Sequence, residues 1–227
     1  MRIPGIMRTS VRVAVVGIIL GVAANSGFAQ SAGRNAADEK VVAFLEKMRY
    51  QWRDMNVPEA DGKALYDLIV KNKYQKALEI GTSTGHSGIW IAWALSKTGG
   101  KLITIEIDER RHKEALANFK EAGLSDFVDA RLADAHTLVN ELQGPLDFVF
   151  IDADKEWYTN YAKAVIPKLQ AGGCIAAHNV RQPRSGGGRS GMSGTAEYYE
   201  YMLRRPDFDS SLVPDSPAGL ALSFKKK

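Results

Sequence analysis

Between residues 76 and 180 the chain alternates between short apolar runs and longer amphipathic segments closed by glycine. KALEIG (76–81) leads into TGHSGIWIAWALSKTGG, which has helical spacing and ends on Gly99 and Gly100. KLITIEID (101–108) precedes ERRHKEALANFKEAG (109–123), and DFVDARLAD (126–134) precedes AHTLVNELQG. LDFVFID (146–152) precedes KEWYTNYAKAVIPKLQAGG, and CIAAHNV (174–180) is a fifth apolar run. Strands separated by helices must cross over to lie parallel, and right-handed crossovers place helices on both faces of one sheet. The unbroken apolar character of LDFVFI and LITIEI is what strands covered on both faces require. The sequence therefore predicts an α/β chain with a doubly wound, mostly parallel sheet.

The flanks fit around that unit. AADEKVVAFLEKMRYQWRDM (36–55) places apolar residues at 41, 44, 45 and 48, and PEADGKALYDLIVKN (58–72) puts Leu65, Leu68 and Ile69 on one face, so two helices precede the first strand. After a Gly- and Arg-rich loop, RQPRSGGGRSGMSG (181–194), comes a helical TAEYYEYMLRR. FDSSLVP and GLALSFK then predict an antiparallel hairpin at the C-terminal edge of the sheet. The loop reads either as a lid over a site or as plain connection.

Residues 1–29 read differently. Arg2, Arg8 and Arg12 precede the apolar run VAVVGIILGVAA (13–24), and Gly27 and Ala29 occupy the −3 and −1 positions of a cleavage site. That is the layout of a secretory signal peptide, with an uncleaved membrane anchor as the alternative. The run is shorter than the roughly 20 residues a spanning helix needs. Residues 30–227 then form a single domain, exported to the periplasm if the peptide is used, and otherwise membrane-anchored or cytoplasmic. Without the three arginines the net charge of +4 falls to +1, which gives no electrostatic case for nucleic acid. The single Cys174 sits in an apolar run and reads as a buried, inert thiol.

Ligands of open parallel sheets bind at the carboxyl ends of the strands. The first strand delivers Glu79 and then Gly81-Thr82-Ser83-Thr84-Gly85-His86-Ser87. This glycine turn lets a ligand approach the backbone, but Ser83 breaks the GxGxxG pattern, and no phosphate-cradling Gly-Lys-Ser/Thr is present. The second strand delivers Glu106, placed to hold the two hydroxyls of a ribose. The third delivers Asp134 and Ala135, the fourth Asp152 and Lys155, the fifth His178 and Asn179. An acid at the start of the glycine turn suits a positively charged ligand.

Taken together, ALEIGTSTGHSGIWIA, TIEID, LADA and FVFIDADKEWY resemble the cation-dependent O-methyltransferases of the catechol and caffeoyl-CoA type, in order from about residue 57 to 180. The resemblance implies a Rossmann-like class I S-adenosylmethionine-dependent methyltransferase fold, a phenolic or catechol-like acceptor and a homodimer. It implies that Glu79, Gly81, Thr82 and Ser87 lie near the methionyl part of the cofactor, Glu106 on its ribose, and Asp134 and Ala135 near its adenine. Asp152, which also borders the cofactor, and Asn179 would hold a divalent metal, and Lys155 would be the base.

The chain departs from the family at His178, which stands where the family has Asp. Imidazole disfavours Mg²⁺ and suits a transition metal. Three roles are open to His178: metal ligand, member of a weak or absent metal site, or base or substrate contact. A metal-independent methyltransferase and an exported nucleoside-binding protein without catalysis are the competing readings. Trp157, Tyr158 and Tyr161 read as either substrate walls or core.

Overall fold

The computed structural model describes residues 36–52, 55–181 and 194–227. All of them belong to one compact unit, Arg34–Lys227. The signal-peptide or anchor reading of residues 1–29 and most of the 181–194 loop lie outside the described residues. Among the described residues, no helix is long and apolar enough to cross a membrane.

Helices α1 (Ala36–Met48) and α2 (Glu59–Asn72) precede strand β1 (Lys76–Ile80). Then follow α3 (His86–Thr98), β2 (Lys101–Glu106), α4 (Glu109–Ala122), β3 (Val128–Leu132), α5 (Ala135–Glu141), β4 (Leu146–Ile151), α6 (Tyr158–Val165) and β5 (Leu169–His178). Helix α7 (Gly194–Leu203) and strands β6 (Phe208–Leu212) and β7 (Leu220–Lys225) complete the described chain. The sheet order is β3-β2-β1-β4-β5-β7-β6. Strands β1 to β5 pair in parallel, and β7 runs antiparallel to both β5 and β6, as the sequence predicts.

One boundary is corrected. The sequence reads as helix through the QAGG stretch, with the fifth strand starting at Cys174, whereas β5 begins at Leu169. Pro167 closes the helical segment in a 3-10 turn. Leu169 then pairs with Leu146 across a register shift before the regular ladder resumes at Phe148 and Cys174.

Strand alternation splits the core in two. Leu78, Ile80, Val149, Ile151, Ile175 and Ala177 face one side, where Tyr158, Tyr161 and Tyr198 cover them. Ala77, Phe148, Phe150, Cys174 and Ala176 face the other, where Leu65, Ile69, Ile89 and Phe119 cover them. Cys174 is fully buried, and burial pushes its thiol up to about 12, as expected of an inert thiol. Chain order reverses between β1 and β4, so a crevice opens where their carboxyl ends part.

Candidate active site

The crevice is a cleft of about 690 Å³ lined from the carboxyl ends of all five parallel strands. Gly81 and Ser87 border it after β1, Glu106 at the end of β2, Asp134 and Ala135 after β3, Asp152 and Lys155 after β4, and His178 and Asn179 at the end of β5. Nine of the sequence-predicted site residues thus line one cleft. Glu79 and Thr82 are absent from it. They lie behind, 0% and 1% exposed.

The turn after β1 is held by its backbone. The amides of Gly81 and Thr82 both donate to the Ile105 carbonyl. Gly81 has φ +100°, and a Cβ there would lie 2.4 Å from the Asp152 carbonyl oxygen, so the turn packs on the end of β4 only as glycine. Behind it the Ser87 hydroxyl is hydrogen-bonded to Glu79 Oε1 and the Thr104 hydroxyl to Glu79 Oε2, each at 2.6 Å, while Thr82 and Thr104 share a 2.5 Å hydroxyl contact. Burial pushes the Glu79 carboxyl up to about 8, although both hydroxyl bonds oppose the rise. Glu79 is therefore a mostly protonated strut near neutral pH rather than a charge presented to the cleft.

Glu106 is fixed by three backbone amides. Ser83 N–H donates to Oε2 at 2.7 Å, and Ile107 and Asp108 N–H donate to Oε1 at 3.0 and 2.9 Å. Its carboxylate borders the cleft in one orientation. Asp134 caps α5 through the His136 amide. The His136 ring stacks on Trp157 with centroids 3.8 Å apart and planes 15° from parallel. Tyr161 lines the cleft beside them and Tyr158 is fully buried, so the aromatic run divides between wall and core.

The opposite floor is charged. Lys155 Nζ donates to Asp152 Oδ1 at 2.5 Å and to the Tyr158 hydroxyl at 3.0 Å. His178 faces Asp152 Oδ2 with Nδ1 at 3.1 Å and Asp61 Oδ2 with Nε2 at 3.0 Å. Burial alone would push the Asp152 carboxyl up, but His178 and then Lys155 reverse this and hold it below the ordinary carboxylate value. Burial pulls His178 down, and Asp152 and Asp61 outweigh it and hold the imidazole above its ordinary value. Asp61 and His178 side chains are only 2% and 4% exposed.

Sequence reasoning missed Asp61. It sits in the first turn of α2, where an acid is ordinary for its favourable interaction with the helix dipole. Its neighbour Gly62 carries the only local signal. A Cβ at Gly62 would lie 2.3 Å from the Trp90 indole, so α2 reaches this depth against α3 only with glycine there.

The expected metal donors meet a plain test of fit. Both Asp152 oxygens are engaged by Lys155 and His178, and both His178 nitrogens by carboxylates. Among the described residues no group of three or more His, Cys, Asp or Glu is arranged to hold a metal ion. As arranged, Asp152 and His178 do not fit one.

A doubly wound sheet whose glycine turn, second-strand acid and charged fourth-strand end share one cleft defines the class I methyltransferase-like fold. The chain belongs to the O-methyltransferase family, whose model matches residues 31–182. It is 34% identical over 144 residues to a flavonoid 3',5'-methyltransferase from Vitis vinifera, covering 61% of this chain and 60% of the relative. It is 39% identical over 130 residues to a catechol O-methyltransferase from Niastella koreensis, covering 56% and 58%. The matches thus span about three fifths of the length of these curated relatives. Among solved structures, an O-methyltransferase from Bacillus cereus in complex with SAH aligns with a TM-score of 0.67 and 26% identity, over 86% of this chain and 92% of that one.

Proposed function

We propose that the chain is an S-adenosylmethionine-dependent O-methyltransferase acting on a phenolic or catechol-like hydroxyl. One observation carries this reading: the backbone-fixed Glu106 and the Lys155–Asp152 pair border the same cleft, so a cofactor half and a proton-accepting half adjoin. The cofactor supplies a methyl group on a sulfonium. Gly81 gives its methionyl end close access to the backbone, Ser87 lines that end, and Glu79 and Thr82 brace Ser87 and the turn from behind. Glu106 accepts from the ribose hydroxyls, and Asp134 and Ala135 border the adenine.

Asp152 and Lys155 work on the acceptor. Lys155, once it has given its ammonium proton to solvent, takes the phenolic proton as the oxygen–methyl bond forms and the sulfur–methyl bond breaks, which restores the ammonium on Asp152. A phenol has a pKa near 10, so a base beside the acceptor is needed at neutral pH. No step passes through a metal, because Asp152 and His178 are already committed to other partners.

The test is incubation of the purified chain with S-adenosylmethionine and a panel of catechols and simple phenols, with product read by mass. A product heavier by one methyl group supports the reading. No product, together with no calorimetric binding of S-adenosylmethionine, overturns it.

A further inference from the structure

Three side chains that line the cleft, Lys155, Asp152 and His178, form one unbroken chain with the buried Asp61 behind them. Asp61 meets His178 at 3.0 Å, His178 meets Asp152 at 3.1 Å, and Asp152 meets Lys155 at 2.5 Å. The members come from four separate segments: α2, the end of β5, the end of β4 and the turn before α6. An imidazole can donate through both nitrogens only when doubly protonated, and each nitrogen here faces a carboxylate. Two buried carboxylates facing one ring favour its doubly protonated form, with Lys155 as the second cation on Asp152.

We propose that the Asp61–His178–Asp152–Lys155 chain is a built-in substitute for a divalent metal, so that this site holds none and works without one. The inference rests on the methyltransferase reading only for the second half of that statement. Its structural half stands on its own geometry. A metal entering between Asp152 and His178 would have to displace the proton shared between Nδ1 and Asp152 Oδ2, while the Nε2–H would stay on Asp61. Asp61 is the positioning residue. It holds the second nitrogen and so keeps the ring turned with Nδ1 toward Asp152. Replacing His178 by a carboxylate would remove the internal cation and bring three acids together, an arrangement that calls for a hard cation.

The experiment uses the full chain, treated with chelator and desalted. Mn²⁺ is titrated in, with free Mn²⁺ followed by electron paramagnetic resonance, and Zn²⁺ is titrated calorimetrically. The expected result is no saturable uptake by the native protein and a gain of one Mn²⁺ per chain in His178→Asp. That variant should also melt higher with Mn²⁺ than with EDTA, while the native melting temperature does not move. Uptake of one Mn²⁺ or Zn²⁺ by the native protein that is lost in Asp152→Asn overturns the proposal, even if His178→Asp does not fold. Binding of S-adenosylmethionine is measured alongside in EDTA and in Mn²⁺. Equal affinity in both supports the proposal, and affinity present only with Mn²⁺ overturns it. Absence of binding in both removes the methyltransferase reading, and the Mn²⁺ titration still decides the structural half.

Discussion

The two halves of the cleft are built by different physics. The wall that would receive the cofactor is a ladder of neutral hydrogen bonds in which Ser87, Thr104 and Thr82 surround a mostly protonated Glu79. The floor that would receive the acceptor is a chain of charges running from Asp61 to Lys155. The wall forms from residues within about one βαβ unit, whereas the floor joins His178 to an acid 117 positions away. A neutral wall tolerates small changes, because an exchanged hydrogen bond costs on the order of 1 kcal/mol. A buried chain of charges does not, because removing one member leaves another without its counter-charge.

The sharpest break in the floor is Lys155→Met. It removes the candidate base while the methionine stem still fills the space. Methyl transfer should fall by roughly 10²–10⁴-fold, the usual contribution of a positioned base. Calorimetric affinity for S-adenosylmethionine should stay within a few-fold, since the wall is untouched. A comparable loss of cofactor affinity would mean that the two halves are not separable.

Asp61→Ala tests the far end of the chain. The His178 ring would keep Asp152 but lose its second carboxylate, at a cost of about 3–5 kcal/mol in unfolding free energy. Asp61→Asn should cost clearly less, because an amide oxygen still accepts from Nε2. Equal losses in the two variants, measured by urea denaturation, would mean that packing rather than charge dominates there.

Glu106→Gln moves to the rim of the wall. One amide oxygen can still accept from Ser83 or from Ile107 and Asp108, but the charged acceptor is gone. Hydrogen bonds to a charged group contribute about 1.5–3 kcal/mol each, so affinity for S-adenosylmethionine should drop by roughly 10–100-fold. The rate at saturating cofactor should change far less. A variant that binds as the native protein does would take Glu106 out of the cofactor site.

The same contrast explains what could be read from the sequence. The glycine turn, Glu106 and Asp152 were legible because each closes its own apolar run, and strand periodicity fixes where such a residue emerges. The parallel pairing followed from the alternation, and the C-terminal hairpin from the two strand-like runs at the end of the chain; the strand order did not. Asp61 was not legible, because an acid in a first helical turn needs no partner to explain it. The early start of β5 was hidden by the register shift between Leu146 and Phe148, which lets a polar QAGG stretch sit in a strand. For His178 the sequence left three roles open. Its second partner, Asp61, comes from α2, whose depth depends on the close approach of Gly62 to Trp90.

The mildest change asks whether the wall is neutral at all. The Glu79 carboxyl is pushed up to about 8 from an ordinary 4.5. The folded state thus holds a proton that the unfolded chain gives up. The stability associated with that proton is fully present below about pH 4.5 and is lost as pH rises toward 8, at most about 1.4 kcal/mol per pH unit. Glu79→Gln mimics the protonated form, because its amide can donate and accept as a carboxylic acid does. At pH 6 the variant should therefore lie within roughly 1 kcal/mol of the native protein. Above pH 8 it should become the more stable of the two, since it never has to ionise. Denaturant curves at three pH values decide this. Affinity for S-adenosylmethionine gives the second reading: an uncharged strut predicts little change at pH 6. A loss of tenfold or more there would show that the ligand draws a negative charge onto Glu79, and the wall would then work by the same physics as the floor.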